Sequence, residues 1–123
     1  MAKILVVDDD VAIRTLIEIN LKMQGHIIRG AKDGIEGFAL AVQEQPELVI
    51  LDVMMPGTDG FELRDLVNKA RPELPVFLIT GRHEFADQDQ APGASRRFFR
   101  KPFDAKALLA AVRDALRDNG NGG

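Results

Sequence analysis

The chain has 123 residues, of which 46% are hydrophobic and 28% are charged, and this composition suits one globular domain with one hydrophobic core. Because the sequence contains no cysteine, disulfides, thiolate metal sites and cysteine nucleophiles are excluded. The formal net charge of −3 differs from the basic character that is usual in nucleic-acid-binding modules, so we expect no direct contact with nucleic acid.

Short apolar runs alternate with segments of helical periodicity along the chain. An apolar run that stops abruptly is typical of a strand buried on both faces, and apolar positions at helical spacing indicate a helix. In chain order, the predicted elements are strand 4–7, helix 11–24, strand 26–31, helix 34–45, strand 48–51, helix 61–70, strand 76–79, a short irregular helix within 81–94, strand 98–99 and a last helix through 108–116. Asp10 and Asp104 are suited to capping the first and the last helix.

Five strands that alternate with helices predict an α/β fold, in which a parallel sheet is covered by helices on both faces. We expect residues 1–118 to form this domain and residues 119–123, which are rich in Asn and Gly, to form a flexible C-terminal tail. No apolar run approaches the length of about 18 residues that spans a bilayer, and no leader-like segment precedes the first strand. We therefore expect a cytoplasmic protein that does not contact the membrane.

Polar side chains follow the predicted strands at the points where the strands end. Asp8 and Asp9 follow the first strand, Asp52 follows the third, Thr80 follows the fourth and Lys101 follows the fifth. In open α/β sheets, ligands bind beyond the carboxyl ends of the strands. We therefore expect these five side chains to form one site.

The side chains at these strand ends have the chemistry that phosphoryl transfer requires. Carboxylates at adjacent strand ends repel each other, and a hard divalent cation such as Mg²⁺, which prefers oxygen ligands, relieves this repulsion. A free carboxylate can attack phosphorus and hold an acyl phosphate. The ammonium group of Lys101 and the hydroxyl group of Thr80 can bind oxygens of the transferred group. The sequence therefore indicates phosphoryl transfer onto an aspartate.

Four motifs resemble, in the same order along the chain, those of the receiver domain of two-component response regulators. They are VVDD at residues 6–9, LDVMMPGTDG at 51–60, LITG at 78–81 and KPF at 101–103. The resemblance extends from Lys3 to about Leu116, and it implies a flavodoxin-like, doubly wound, five-stranded parallel sheet with the strand order 2-1-3-4-5. Gly81 and the irregular stretch after it are similar to a branch of single-domain receivers whose fourth helix is loose.

The resemblance implies roles for the acidic residues and for the loop after the third strand. Asp52 matches the phosphorylated aspartate, which is also a metal ligand. Asp9 matches the carboxylate that binds the metal directly, and Asp8 matches its partner, which usually holds metal-bound water. Met54 would supply its backbone carbonyl to the metal. The cofactor implied by this set of ligands is Mg²⁺.

Three further residues match positions that respond to the phosphoryl group in this family. Lys101 matches the lysine that binds a phosphoryl oxygen, and Thr80 matches the hydroxyl residue that moves toward the group. Phe98 matches the aromatic residue that turns inward when the threonine moves, with Phe99 as a second choice.

The resemblance implies a signalling switch rather than an enzyme that acts on a separate substrate. A histidine kinase or a histidine phosphotransfer protein would donate the phosphoryl group to Asp52. The resulting change of conformation would control a downstream protein that the sequence does not identify. The domain would catalyse only its own phosphorylation and dephosphorylation.

Two other functions are compatible with parts of the sequence. Asp8 and Asp10, which follow an apolar strand, are superficially similar to the motif of the haloacid dehalogenase phosphatases, in which Asp8 would be the nucleophile. The irregular stretch within 81–94 is compatible with a binding module whose phosphorylation is unused. His26 and His83 have no convincing nucleophile or metal partner in the sequence, and we assign both to surface or loop positions.

Overall fold

Five parallel strands form the central sheet of the part of the chain that the computed structural model describes, which is residues 2–81, 98–101 and 104–120. The strands are β1 (Lys3–Val7), β2 (Ile27–Ala31), β3 (Leu48–Asp52), β4 (Val76–Thr80) and β5 (Phe98–Arg100). Their order in the sheet is β2-β1-β3-β4-β5, and every pairing is parallel. This confirms the predicted flavodoxin-like sheet with the strand order 2-1-3-4-5.

The described residues form four helices, which cover both faces of the sheet. They are α1 (Val11–Met23), α2 (Gly34–Gln43), α3 (Gly60–Ala70) and α4 (Ala105–Gly120). Because α4 continues to Gly120, it includes two residues of the predicted tail, and the division of the chain at residue 118 stays a prediction. The helix predicted within 81–94 falls outside the described residues from position 82 onward, and His83 also lies outside them.

Each of these four helices begins at an aspartate. The side chain of Asp10 accepts from two backbone N–H groups of α1, that of Asp33 from one in α2, and that of Asp59 from two in α3. Asp104 accepts from the N–H of Lys106 at 2.9 Å. Each cap contributes about 1 kcal/mol, and the caps predicted at Asp10 and Asp104 are confirmed.

Alternate residues of the strands pack into two separate hydrophobic cores. Leu5, Val7, Val49, Leu51 and Leu78 pack with α2 and α3, through Ala41, Leu63 and Val67. Ile4, Val6, Ile50, Phe77 and Ile79 pack with α1 and α4, through Ile17, Leu21, Leu108 and Val112. Successive strand residues point to opposite faces, so burial on both faces explains the continuous apolar runs in the sequence. None of the four helices combines the length and the apolar character that crossing a bilayer requires.

The loop after β3 returns closely on itself before α3 begins. Residues Met54–Met55 pair antiparallel with Thr58–Asp59, and the turn between them uses Gly57 at a φ of 72°, which glycine adopts without strain. The N–H of Gly60 donates to the carbonyl of Val53 at 2.9 Å. A Cβ at Gly60 would lie 2.5 Å from Val53 Cα, so this approach requires a glycine.

Candidate functional site

The carboxyl ends of β1, β3 and β4 meet at one edge of the sheet. Asp52 pairs with Ile79 of β4. Val7 and Leu51, which directly precede Asp8 and Asp52, pair with each other. Asp8 therefore lies beside Asp52, and Thr80 ends the strand on the other side of it. Asp8, Asp52 and Thr80 are only 0%, 4% and 1% exposed, so the sheet buries three polar side chains at this edge.

Three carboxylates converge at these strand ends. One oxygen from each of Asp8, Asp9 and Asp52 lies within 4.8 Å of the others, and the Asp9 side chain is the exposed member of the group. Asp8 Oδ1 accepts from the N–H of Asp10 at 2.9 Å, and Asp52 Oδ1 accepts from the N–H of Met54 at 3.2 Å. Asp8 Oδ2 is buried, and it pairs with the ammonium group of Lys101 at 3.3 Å. Such a cluster can hold a metal ion.

Lys101 places its ammonium group between the two buried carboxylates. Its Nζ lies 3.3 Å from Asp8 Oδ2 and 3.4 Å from Asp52 Oδ2. Its backbone N–H donates to the carbonyl of Thr80 at 2.7 Å, which continues the pairing of β5 with β4. The lysine therefore enters the site from a strand end that adjoins Thr80, as the sequence predicted.

The buried carboxylates and the lysine shift one another's ionisation. The pKa of Asp52 is raised to about 6, mainly by burial and secondly by the charge of Asp8. The charge of Lys101 and the hydrogen bond from the N–H of Met54 lower this pKa, but by less. Burial alone would lower the pKa of Lys101, but the charges of Asp52 and Asp8 outweigh it, so the pKa lies above its ordinary value. Among the described residues, Lys101 is the cation that pairs with these carboxylates, and its charge does not fully offset their mutual repulsion, because the pKa of Asp52 stays raised.

Thr80 and Phe98 lie on the same face of the sheet. Leu78 pairs with Phe98, and Thr80 follows Leu78 by two positions, so all three side chains point to the face covered by α2 and α3. The Phe98 ring stacks on that of Phe61, with centroids 6.2 Å apart. Phe99 lies on the opposite face, where its ring packs on Phe77 at 5.5 Å.

A sequence model of the response regulator receiver domain family matches residues 4–113. The chain belongs to this family. The predicted membership of the receiver domain family is therefore confirmed.

The receiver domain is similar to parts of longer regulators. It is 41% identical to the DNA-binding dual master transcriptional regulator RpaA of Synechocystis sp., over 95% of this chain and 50% of the relative. It is 37% identical to the transcriptional regulatory protein AfsQ1 of Streptomyces coelicolor, over 95% of this chain and 52% of the relative. The chain thus spans about half the length of the curated relatives it matches.

Solved structures of receiver domains share the whole fold. A CheY-like receiver domain protein from Methanospirillum hungatei JF-1 matches with a TM-score of 0.90 and 27% identity, covering 100% of this chain and 99% of that one. The receiver domain of NtrX from Brucella abortus matches with a TM-score of 0.80 and 39% identity, covering 93% of this chain and 98% of that one.

One prediction from the sequence, that nucleic acid is not a direct partner, is wrong. RpaA is described as a DNA-binding transcriptional regulator and AfsQ1 as a transcriptional regulatory protein, and the receiver domain matches about half of each. The prediction used the net charge of −3 of this chain. The net charge of a receiver domain does not report what the rest of these longer relatives contacts, which is the physical reason for the wrong prediction.

Sequence reasoning also missed a contact that Arg14 makes with the site. Its Nη1 donates to the carbonyl oxygen of Asp8 at 2.8 Å, across six positions of the chain. In the sequence, Arg14 is one polar residue among several in a helical pattern, and nothing local distinguishes it. Only the packing of α1 against the end of β1 brings the two groups together.

Proposed function

We propose that this receiver domain accepts a phosphoryl group on Asp52, with Mg²⁺ bound at the acidic cluster, and that the modified aspartate switches the conformation of the domain. The donor is a histidine kinase or a histidine phosphotransfer protein, and the switch controls a downstream partner. The observation that carries the proposal is the position of Lys101 Nζ, 3.3 Å from Asp8 Oδ2 and 3.4 Å from Asp52 Oδ2. The match of residues 4–113 to the receiver domain family supports it.

Asp52 is the nucleophile in this proposal. An oxygen of its carboxylate forms a bond to phosphorus while the bond from phosphorus to the donor histidine nitrogen breaks, and the histidine keeps the electron pair. The pKa of Asp52 is raised to about 6, so the reactive ionised form predominates at neutral pH. Because the carboxylate is buried, few water molecules compete for the acyl phosphate.

The acidic cluster suits Mg²⁺. The donors are all oxygens, which this hard cation prefers, and one oxygen from each of the three carboxylates lies within 4.8 Å of the others. Asp9, Asp52 and the backbone carbonyl of Met54 would bind the ion directly, and Asp8 would bind it through water. Bound Mg²⁺ supplies positive charge that offsets the carboxylates and one phosphoryl oxygen.

Lys101, Thr80 and Phe98 would convert the new charge into a change of shape. The ammonium group that pairs with Asp52 would bind a phosphoryl oxygen, and the Thr80 hydroxyl would bind another. Phe98 points to the same face as Thr80, whereas Phe99 does not, which favours Phe98 as the aromatic member of the switch. The phosphoryl group then shifts an equilibrium between two conformers.

The proposal makes the domain a signalling component that catalyses only its own phosphorylation and dephosphorylation. It places the domain in the cytoplasm together with its phosphodonor, with residues 1–118 as the receiver and residues 119–123 as a flexible tail. The transcriptional regulators RpaA and AfsQ1, which are about twice as long as the matched part, suggest that the switch acts on transcription.

Acetyl phosphate and Mg²⁺, followed by intact-mass measurement and peptide mapping, test the proposal. We expect one phosphoryl group on the peptide that contains Asp52, none in Asp52→Asn, and full labelling in the control Asp65→Asn, which changes an exposed aspartate of α3. Full labelling of Asp52→Asn would refute the assignment. Loss of labelling in Asp8→Asn together with full labelling of Asp52→Asn would instead support Asp8 as the nucleophile.

A further inference from the structure

Arg14 of α1 binds the backbone of the acidic run that follows β1. Its Nη1 donates a hydrogen bond of 2.8 Å to the carbonyl oxygen of Asp8, and the arginine is partly buried. A hydrogen bond from a charged donor is shorter and stronger than one between neutral groups. The contact therefore holds this peptide group in one orientation.

Gly30, on the neighbouring strand β2, leaves the space through which the Arg14 side chain reaches this carbonyl. A Cβ at Gly30 would lie 3.3 Å from Cδ and 3.4 Å from Nε of Arg14, and 2.9 Å from Oε2 of Glu18. The arginine therefore lies directly over the glycine. These neighbours are side-chain atoms and the Glu18 oxygen is the nearest, so a methyl group at position 30 would push the Glu18 and Arg14 side chains aside rather than the backbone.

The Asp8 carbonyl and the Asp9 N–H belong to one planar peptide group. Fixing the carbonyl therefore fixes the direction in which the chain continues into Asp9. Other bonds hold Asp8 itself, whose N–H donates to the carbonyl of Ala31 at 3.0 Å and whose Oδ1 accepts from Asp10. The Asp9 side chain is exposed, so the placement of its carboxylate depends on the adjoining backbone.

We propose that Arg14 is a positioning residue, which orients the Asp8–Asp9 peptide so that the Asp9 carboxylate stays with the rest of the acidic cluster, and that Gly30 permits this contact. Arg14 acts through the backbone and not on the reacting atoms. The inference rests on the proposed function, because it concerns how well the cluster binds Mg²⁺ before phosphorylation.

The charge and the geometry of Arg14 have opposite effects on metal binding. A cation close to an acidic cluster repels a second cation, so loss of the charge alone would tighten Mg²⁺ binding. Loss of the orientation weakens binding, since outer-shell partners of metal ligands typically change affinity by about 10- to 100-fold. The sign of the change therefore separates a positioning role from a purely electrostatic one.

The test is an Mg²⁺ titration of the full chain, followed by NMR of backbone amides, for wild type, Arg14→Met, Arg14→Lys and Gly30→Ala. We expect the dissociation constant to rise by about 10-fold or more in Arg14→Met and Gly30→Ala, and by less in Arg14→Lys, which keeps the charge and a donor. In the metal-free protein, the Asp9 amide resonance should shift in the same variants. Arg113→Met, at an exposed arginine of α4, is the matched control and should leave both readouts unchanged.

Unchanged or tighter Mg²⁺ binding in Arg14→Met, with the Asp9 amide resonance unmoved, would overturn the positioning role. Wild-type affinity in Gly30→Ala, which keeps both the arginine and its charge, would overturn it independently of how well Arg14→Met folds. The same samples are treated with acetyl phosphate, so a wild-type chain that binds Mg²⁺ but is not labelled at Asp52 would refute the proposed function separately.

Discussion

The ammonium group of Lys101 lies 3.4 Å from Asp52 Oδ2, although 49 positions of the chain separate the two residues. The same group lies 3.3 Å from Asp8 Oδ2, so one side chain at the end of β5 connects the ends of β1 and β3. The backbone bond from Lys101 to Thr80 fixes the base of that side chain. The ion pairs therefore depend on the order and the register of the sheet, and each can be tested by removing one member.

Removal of the Lys101 ammonium group should slow phosphorylation and raise the pKa of Asp52. In Lys101→Met, we expect the rate of labelling by acetyl phosphate to fall by about 100-fold, since loss of one group that stabilises developing charge typically costs this much. The pKa of Asp52 should rise further above 6, because the charge of Lys101 lowers it. Carbon NMR of the Asp52 carboxyl group during a pH titration of metal-free protein measures this shift. An unchanged pKa would show that the ion pair is absent in solution.

The ionised form of Asp52 should destabilise the metal-free fold. Its pKa is raised from 3.8 to about 6, so between these values the folded protein keeps a proton that the unfolded chain has lost. Stability from this group is therefore present below about pH 4 and is lost as the pH rises through 6. Asp52→Asn should raise the free energy of unfolding at neutral pH by about 1–3 kcal/mol, with no gain at low pH.

Urea denaturation in the presence of a chelator, at a series of pH values, measures this difference between wild type and Asp52→Asn. The control is Asp65→Asn, whose carboxylate is exposed and which should follow the wild-type curve. Equal stability of Asp52→Asn and wild type across the whole pH series would contradict the electrostatic conflict described for the site.

Mg²⁺ should stabilise the folded protein through the acidic cluster. A ligand that binds only the native state raises stability in proportion to the logarithm of its concentration above the dissociation constant. We expect the melting temperature of wild type to rise with added MgCl₂. In Asp9→Asn, which changes the exposed member of the cluster, the rise should require at least about 10-fold more Mg²⁺. A rise of the same size in both proteins would place the ion elsewhere.

Gly60 should tolerate no side chain, whereas Gly81 should. A Cβ at Gly60 would lie 2.5 Å from Val53 Cα and 2.9 Å from the carbonyl oxygen of Asp52, and both are backbone atoms that cannot move aside. Gly60→Ala should therefore lower the free energy of unfolding by about 1–3 kcal/mol. No described atom lies within 4 Å of a Cβ at Gly81, so Gly81→Ala is the matched control. Chemical denaturation of the two variants decides the comparison.

Much of the site could be predicted from the sequence because parallel strands end at one edge of a sheet. The apolar runs that stop at Asp8, Asp52 and Thr80 locate three strand ends, and the placement of Lys101 follows from the same rule. The strand predicted at 26–31 has a weaker apolar pattern than the others, because β2 lies at the edge of the sheet and alternates exposed and half-buried residues over most of its length.

Features that depend on packing across the fold could not be predicted in this way. The contact of Arg14 with the Asp8 carbonyl requires α1 to lie over Gly30, and the sequence records no such contact. The close return of the loop at Gly60 depends on Val53, seven positions away. The failed prediction about nucleic acid had a different cause, because it relied on the net charge of −3 of this chain alone, whereas a matched relative of about twice the matched length is a DNA-binding regulator.

Phe98 and Phe99 are neighbours in sequence but belong to different cores, one with Phe61 and the other with Phe77. A rotation of the Phe98 ring would therefore not require the side chains beneath α1 and α4 to repack. In the proposed switch, movement of this ring would be transmitted to α3 through Phe61. The opposite core can stay rigid and hold the strands in register while this happens.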